Sequence, residues 1–271
     1  MRIISLGWGV QSFTLAAMVA LGELDPVDAA VHSDTTHEMS GTYSFAEKMT
    51  PWLEQRGVKV VTVKSKSPIG VWDGKFIPSY TSGLIDAPCG YYDDDEYFIR
   101  TGGTYKKESK GQAFRTCTQR WKIAPMRRWF QKHRDGEPVE LSLGISQDEW
   151  KRMKDSDVKY ITNRWPLIEM KMTRHDCKRW LQDHDLEIPV KSSCVFCPYH
   201  NQAAWRDLKM TGDGDWTKAV EVDTAIRKAR PPYDLFIHPA RVPLVDVDLR
   251  NMQDRGQLSL WDQECMGVCG V

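Results

Sequence analysis

Arg2-Ile-Ile-Ser-Leu-Gly-Trp-Gly-Val-Gln-Ser12 begins as a short apolar run, is stopped by two glycines, and passes into the largely apolar stretch Phe13 to Leu21. The order is strand, loop, helix. Backbone N–H groups in such a turn, with a helix N-terminus behind them, can cradle a phosphate or pyrophosphate. Glycines let the backbone approach the ligand, and Ser12 adds a hydroxyl. Ser5, Gly7, Gly9, Val10, Gln11 and Ser12 are therefore candidate nucleotide-binding residues. The turn is not a Walker A loop, because no Gly-Lys-[Ser/Thr] follows. A tight turn without a ligand would use the same residues.

Outward from this turn the pattern repeats. Ala29 to His32 is a second apolar strand, a helical stretch runs from about Thr42 to Gln55 with Pro51 as an expected kink or break, and Lys59 to Val63 is a valine-rich third strand. Strands alternating with helices imply right-handed βαβ units, hence an α/β fold with a mainly parallel sheet covered by helices. From 65 to 115 the periodicity fails and Gly, Pro, Tyr and the acidic run Asp93-Asp-Asp-Glu96 dominate. Loops of this length inside a domain are usually functional, and the acidic run reads as a solvated turn. Pro125 sits at a plausible first helical position, Val139 to Leu143 is a strand, and Thr173-Arg-His-Asp176 has capping-box character at the start of a helix toward Asp183. Two helical stretches separated by Thr211-Gly-Asp-Gly-Asp215 follow, and the last forty residues look irregular. The expected division is a nucleotide-binding α/β domain over 1–190, with 65–115 as a long functional loop, and a cysteine-bearing helical and irregular extension with a flexible tail over 191–271.

The chain has 271 residues, 41% of them hydrophobic, enough for one sizeable core with an appendage. Its 37 basic residues balance 37 acidic ones, so no global charge demands a nucleic acid or an anionic membrane. Met1-Arg2 leads at once into the first strand, and no segment reaches the roughly 18 consecutive apolar residues of a membrane span. A soluble, cytoplasmic protein with no membrane partner is expected. In a reducing compartment seven cysteines are not a disulfide framework. Cys194-Val-Phe-Cys197-Pro-Tyr-His200 has metal-ligand spacing, since two intervening residues let both thiolates face one centre. Cys89 and Cys177 lack such context and read as small buried hydrophobes.

These residues resemble the PP-loop (adenine nucleotide alpha-hydrolase-like) superfamily. Its members carry Ser-Gly-Gly-x-Asp-Ser after the first strand, and phage- and plasmid-type members of the phosphoadenosine phosphosulfate (PAPS) reductase family carry Ser-Phe-Gly-Gly-Gly-Val-Gln-Ser. The present turn differs from the latter at Leu6 and Trp8. Asp34-Thr35-Thr36-His37, followed by Thr42-Tyr43, keeps the spacing of the reductases' Asp-Thr-Gly-His-x-Phe-Pro-Glu-Thr-Tyr segment, with departures at Thr36 and Gly41. Leu143-Gly144-Ile145-Ser-Gln-Asp-Glu149 with Arg152 resembles the family's Gly-Ile/Leu-Arg-x-x-Glu-Ser-x-x-Arg segment, and Trp165-Pro-Leu-Ile168 its Tyr-Pro-Leu-x element. The resemblance implies a five-stranded sheet with helices on both faces and an adenine nucleotide (ATP, PAPS or APS) beside Asp34, Thr35, Gly144 and Ile145 at the carboxyl edge. Asp34 as a helix cap or turn residue is the bland alternative.

Cys117 in Thr116-Cys-Thr-Gln-Arg-Trp-Lys122-Ile-Ala-Pro125 resembles the Cys-Cys-x-x-Arg-Lys-x-x-Pro of sulfonucleotide reductases that hold a [4Fe–4S] cluster, with Thr118 replacing the second cysteine. The resemblance implies Cys117, Cys194 and Cys197 as cluster ligands, with an open fourth iron or with Cys265 or Cys269 closing the set. Zinc on Cys117, Cys194, Cys197 and His200 is the rival. Glu264-Cys265 and Cys269-Gly270-Val271 resemble the mobile Glu-Cys-Gly-[Ile/Leu]-His tail that carries the reductases' catalytic thiol, although the terminal His is missing. Cys265 and Cys269 are accordingly candidate nucleophiles. Lys122 and Arg152 lead the basic candidates for thiolate activation and phosphate charge, with Arg120, Arg127 and Arg128 behind them. The reading is an oxidoreductase of the PAPS/APS reductase kind or an ATP pyrophosphatase that transfers sulfur. Its expected partners are the nucleotide, a thioredoxin-like reductant, a nucleic-acid acceptor for the transfer reaction, and a second copy in a homodimer. The alternative is a non-catalytic nucleotide-binding accessory protein with structural zinc.

Overall fold

A computed structural model of the chain describes residues 1–65, 70–72, 75–77, 110–112, 118–212, 214–227, 234–251 and 254. The chain separates into two compact units, the first holding the N-terminal residues together with those up to Val195, the second holding residues from Phe196 onward and the strand Lys110–Gln112.

The first unit is organised by a five-stranded sheet. Its strands are β1 (Arg2–Ser5), β2 (Ala29–Asp34), β3 (Val60–Lys64), β7 (Val139–Leu143) and β8 (Ile161–Arg164), and the order is β3-β2-β1-β7-β8. Every neighbouring pair is parallel, with Ile3 opposite both Ala29 and Leu141. Parallel strands buried on both faces need apolar residues in both directions of the pleat. Ile3, Ala29, Val31, Val139, Leu141 and Ile161 point to one face, where Met126 and Phe130 of helix α3 (Ala124–His133) cover them. Ile4 and Ala30 point to the other, under Phe13 and Leu15 of α1 (Val10–Ala20), Phe45 and Leu53 of α2 (Ser40–Glu54), and Cys177 and Leu181 of the later helix Arg174–Asp183. Helices thus lie on both faces. The order reverses at β1, which has β2 and β7 beside it, so ligands are expected outside its carboxyl end.

Several local expectations hold and two shift. Pro125 lies in the first turn of α3, as its missing N–H allows. Thr173 and Asp176 form a reciprocal capping box on Arg174–Asp183. Pro51 does not break α2, which runs through it to Glu54; the proline is on the exposed side, where the carbonyl it leaves unpaired can face water. The helix after β1 starts at Val10, ahead of the apolar run at Phe13. Strand β8 had no clear sequence signal, because Ile161-Thr-Asn-Arg164 is an edge strand with one buried residue. Within the 65–115 segment the described residues are a hairpin of β4 (Gly70–Trp72) and β5 (Lys75–Ile77), and β6 (Lys110–Gln112). The acidic run Asp93–Glu96 and Cys89 lie outside the described residues. No helix among the described residues is long and apolar enough to cross a membrane.

In the second unit β6 pairs in parallel with β9 (Asp234–Phe236), and helices Gln202–Thr211 and Asp215–Ile226 flank the turn the glycines marked. Gly212 and Gly214 both adopt positive φ there, +70° and +86°, which an L side chain resists. Asp223, 1% exposed, organises the otherwise irregular last part of the chain: it accepts the amides of Ile237 at 2.9 Å and Leu244 at 3.0 Å and pairs with Arg227.

Candidate functional site at the carboxyl edge of the sheet

The glycine turn leaves β1 at Ser5 and is closed by its own serine. Gly7 N donates to Ser12 Oγ at 3.1 Å, and Ser12 Oγ donates to the Gly9 carbonyl at 3.2 Å. Trp8 takes φ +55°, a conformation that costs a non-glycine residue roughly 1–3 kcal/mol. Its indole is 2% exposed and packs against Phe13, His32 and Phe45, with ring centroids 6.3–6.4 Å apart. Core burial of the indole holds the strained backbone and keeps the bulk off the amide face of the turn. No side chain caps α1, whose first backbone bond is Phe13 N to Gly9 O at 2.9 Å. The amides of Val10, Gln11 and Ser12 therefore have no acceptor within the helix, which is the arrangement that receives an anion.

Two segments distant in sequence pin this turn. A Cβ built on Gly144 would lie 2.7 Å from Ser12 N and 2.8 Å from Ser12 Cα, so only glycine lets the end of β7 approach the helix start so closely. Beside it, Ile145 and Ser146 are buried. Gln11, 7% exposed, donates to Ser146 Oγ at 3.3 Å and Glu149 Oε2 at 3.0 Å, and accepts from Arg174 at 3.4 Å. Arg152 pairs with Glu149 at 2.7 Å. Two cations, Arg152 and Arg174, thus stand next to the residue that follows the first amide of α1. On the other side Ser192 Oγ donates to the Gly7 carbonyl.

The end of β2 is a second polar cluster. Asp34 accepts from the Thr36 amide at 2.7 Å and the Tyr43 hydroxyl at 2.8 Å, and pairs with Lys64 at 3.0 Å. Burial alone would raise the Asp34 carboxyl, but these three partners outweigh it and hold it below the usual carboxylate range, and the buried, carboxylate-bonded Tyr43 hydroxyl is pushed up in turn. With both oxygens engaged, Asp34 ties the Thr36 turn to Tyr43 and Lys64. Thr35 Oγ1 donates to Glu38 Oε1 at 3.1 Å and lies 3.2 Å from Cys194 Sγ. Glu38 is also paired with Lys122 at 3.3 Å, and Ser33 Oγ donates to the Lys122 carbonyl at 2.7 Å. Cys194 is held by backbone to the segment that follows β2: Glu38 and Cys194 form an antiparallel bridge flanked by Met39 N to Ser193 O at 3.1 Å and Val195 N to His37 O at 2.9 Å. Next to Asp34, a cavity of about 400 Å³ is walled by Trp8, His32, Thr42 and Tyr43. Burial holds the His32 imidazole below its ordinary value, and one ring nitrogen bonds the Leu6 carbonyl at 3.0 Å.

The sheet thus brings together Ser5, Gly7, Gly9, Val10, Gln11, Ser12, Gly144, Ile145 and Arg152 around one turn, and Asp34, Thr35, Lys122 and Cys194 around the end of the neighbouring strand. Cys197 belongs to the second unit, where it is 9% exposed and its carbonyl accepts the His200 amide at 3.0 Å; the His200 ring meets Trp205 edge-on, 4.7 Å between centroids. Cys177 is a fully buried thiol, pushed up to about 11 by desolvation, as a core residue should be. Cys117, Cys265, Cys269 and the Arg120 side chain lie outside the described residues, so the sulfur ligand set is present only in part; among the described residues no three metal-binding side chains converge. By residue type the buried thiols Cys194 and Cys197 fit a soft metal or cluster. Glu38, Ser146, Arg174 and Ser192 were not singled out by sequence reasoning. The one available signal was the polar run Lys191-Ser-Ser-Cys194, and no pattern marked the others, because their partners are more than a hundred residues away or, for Glu38, in a turn.

No family model matches the chain, and no curated protein matches it. Among solved structures it is similar to a phosphoadenylyl-sulfate (PAPS) reductase from Candida auris in a phosphate complex, at 12% identity and a TM-score of 0.42, over 69% of this chain and 74% of that one.

Proposed function

We propose that the chain binds an adenine nucleotide by its phosphates at the Gly7–Ser12 turn and uses it in sulfonucleotide reduction or ATP-dependent sulfur transfer. One observation carries the reading: the segment Ser192–Cys194 touches both clusters, Ser192 at the Gly7 carbonyl and Cys194 at Thr35 and Glu38. The Cys194 thiol and the uncapped amides at the start of α1 therefore lie at the same edge of the sheet, which supports sulfur chemistry on a bound nucleotide. The uncapped amides of Val10, Gln11 and Ser12 receive the phosphates, and Arg152 and Arg174 supply charge that needs no proton transfer.

In the reductive form a thiolate of Cys265 or Cys269 attacks the sulfate sulfur and the nucleotide phosphate leaves, giving an S-sulfonated cysteine; one thiol of a thioredoxin-like dithiol then attacks the cysteine sulfur and sulfite leaves, and its second thiol resolves the mixed disulfide, so the reductant ends as a disulfide and the cysteine as a thiol. In the transfer form ATP activates an acceptor, a nucleic-acid base for instance, and pyrophosphate leaves. Cys117, Cys194 and Cys197 would hold a [4Fe–4S] cluster, with zinc as the alternative; a cluster with an open iron can carry sulfur or polarise a sulfate oxygen. Lys122, tied to β2 by its carbonyl and paired with Glu38, is the cation assigned to the anion in this reading.

The deciding experiment measures sulfite release from PAPS and from APS against pyrophosphate release from ATP, with an anaerobic preparation inspected for iron–sulfur absorption. Sulfite release selects reduction and pyrophosphate release selects transfer. A colourless, zinc-loaded protein that binds nucleotide and releases neither product overturns the enzyme and leaves the accessory reading.

A further inference from the structure

We infer that Gln11 is a positioning residue for the anion site: its carboxamide holds the Arg174 guanidinium at the start of α1 without cancelling its charge, which makes Arg174 the principal cation for the nucleotide's phosphates. The inference rests on the proposed nucleotide-binding function and ranks the two arginines that this function invokes.

The two cations next to the turn are held differently. Arg152 meets the Glu149 carboxylate at 2.7 Å. Arg174 Nη1 donates instead to Gln11 Oε1 at 3.4 Å, and no carboxylate among the described residues pairs with its guanidinium. The acid that Arg174 does touch, Asp148, accepts its backbone amide at 2.9 Å. A carboxylate on a guanidinium competes with any anion that arrives, whereas a neutral amide oxygen holds the group and leaves its charge for the ligand. A guanidinium has five donors, so the bond to Gln11 leaves enough for a two-pronged contact with a phosphate.

The Gln11 carboxamide has one favourable orientation. Its Nε2 donates to Ser146 Oγ at 3.3 Å and Glu149 Oε2 at 3.0 Å, while Oε1 faces Arg174. Turned over, it would set its oxygen against a carboxylate and its NH2 against a guanidinium. Gln11 is 7% exposed and Ser146 is fully buried, so water competes little for these bonds. The main chain of Arg174 is fixed as well: it is the first residue of its helix, behind the Thr173–Asp176 capping box, with its amide on Asp148. Backbone and guanidinium are thus anchored at separate points, and the second anchor is Gln11. Gln11 is also the second residue of α1, and its own amide is one of the three without a helical acceptor. One residue therefore presents an N–H to a phosphate and fixes the cation beside it. A glutamate in its place would neutralise Arg174 and oppose Glu149 as a like charge.

The test is calorimetric titration of ATP, adenosine 5′-phosphosulfate and adenosine into wild type, Arg174→Gln, Gln11→Met, the Gln11→Met/Arg174→Gln pair and the Glu149→Gln/Arg152→Gln pair, each first shown to melt cooperatively. Arg174→Gln should weaken both anionic ligands by about tenfold or more, with adenosine unchanged. Gln11→Met should cost part of that factor, and in its background the Arg174→Gln effect, as a free energy, should shrink to less than about half of its size. The Glu149→Gln/Arg152→Gln pair, which keeps the net charge and an oxygen for Gln11 Nε2, should weaken the anions by roughly threefold at most. If wild type binds the anions and Arg174→Gln binds them equally, or loses the same factor with and without the Gln11 carboxamide, or loses no more than the Glu149→Gln/Arg152→Gln pair, the inference is overturned while the nucleotide site stands. Wild type that binds none of the three overturns both.

Discussion

Replacing Gly144 with alanine tests the part of the site on which the proposed phosphate binding depends. The added Cβ would lie 2.7 Å from Ser12 N, 2.8 Å from Ser12 Cα and 3.0 Å from the Gln11 carbonyl carbon, against 3.4 Å or more for ordinary contact. All three are backbone atoms, so no side chain can swing away. Relief requires the helix start and the end of β7 to part by about 0.7 Å, the difference between 3.4 and 2.7 Å. A forced shift of packed backbone typically costs about 1–3 kcal/mol; for a domain of this size that lowers Tm by roughly 2–10 °C. The functional effect is of similar size and is read separately from the loss of stability. An amide moved by that distance takes an ideal bond of about 2.9 Å beyond 3.5 Å, where it no longer counts as one. Two amides, those of Gln11 and Ser12, are displaced together, so nucleotide affinity should fall by roughly 30-fold or more, from about 1 kcal/mol for each bond. The assay is a thermal melt with calorimetric titration of ATP. Gly7→Ala is the stability control, because its Cβ would meet only Ser12 Oγ at 3.7 Å. A Gly144→Ala protein with the melting temperature and ATP affinity of wild type refutes the close-approach argument.

Two further predictions concern stability. In the second unit Asp223→Ala leaves the buried Ile237 and Leu244 amides and the Arg227 guanidinium without their acceptor; a loss of roughly 3–5 kcal/mol is expected, read as early proteolytic cleavage after Ile226, and an unchanged cleavage pattern would show that the aspartate is not the organiser. Burial holds the His32 and His238 imidazoles below their ordinary value of 6.5. The unfolded chain then takes up protons that the folded chain refuses, so this stability is complete above the unfolded value and is lost as pH falls through the folded one. The urea midpoint should drop between about pH 7.5 and 5.5, less so in His32→Gln, and a midpoint that rises on acidification contradicts the assignment.

Local signals were legible wherever a residue acts on its neighbours in the chain. The Gly7–Ser12 turn, the valine-rich β3, the Thr173 capping box and the glycines after Thr211 were all readable, because turn, pleat and cap are decided within a few residues. Asp34 was readable as a position and ambiguous as a role. Only its contacts with Thr36, Tyr43 and Lys64 make it the organiser of a turn. Trp8 sits inside the turn, and its bulk belongs to the core because Phe13, Phe45 and His32 converge on it from α1, α2 and β2.

The sequence by itself determined a parallel α/β sheet and the glycine turn between β1 and α1, since hydrophobic period and turn propensity are properties of adjacent residues. Tertiary structure alone decided that Gly144 must be glycine, that Gln11 is held by Ser146, Glu149 and Arg174, and that Cys194 meets a buried Glu38 whose cation is Lys122. Those contacts join strands and loops separated by some 80 to 160 residues. No local propensity encodes them, because they exist only once the sheet has placed the carboxyl ends of β1, β2 and β7 side by side.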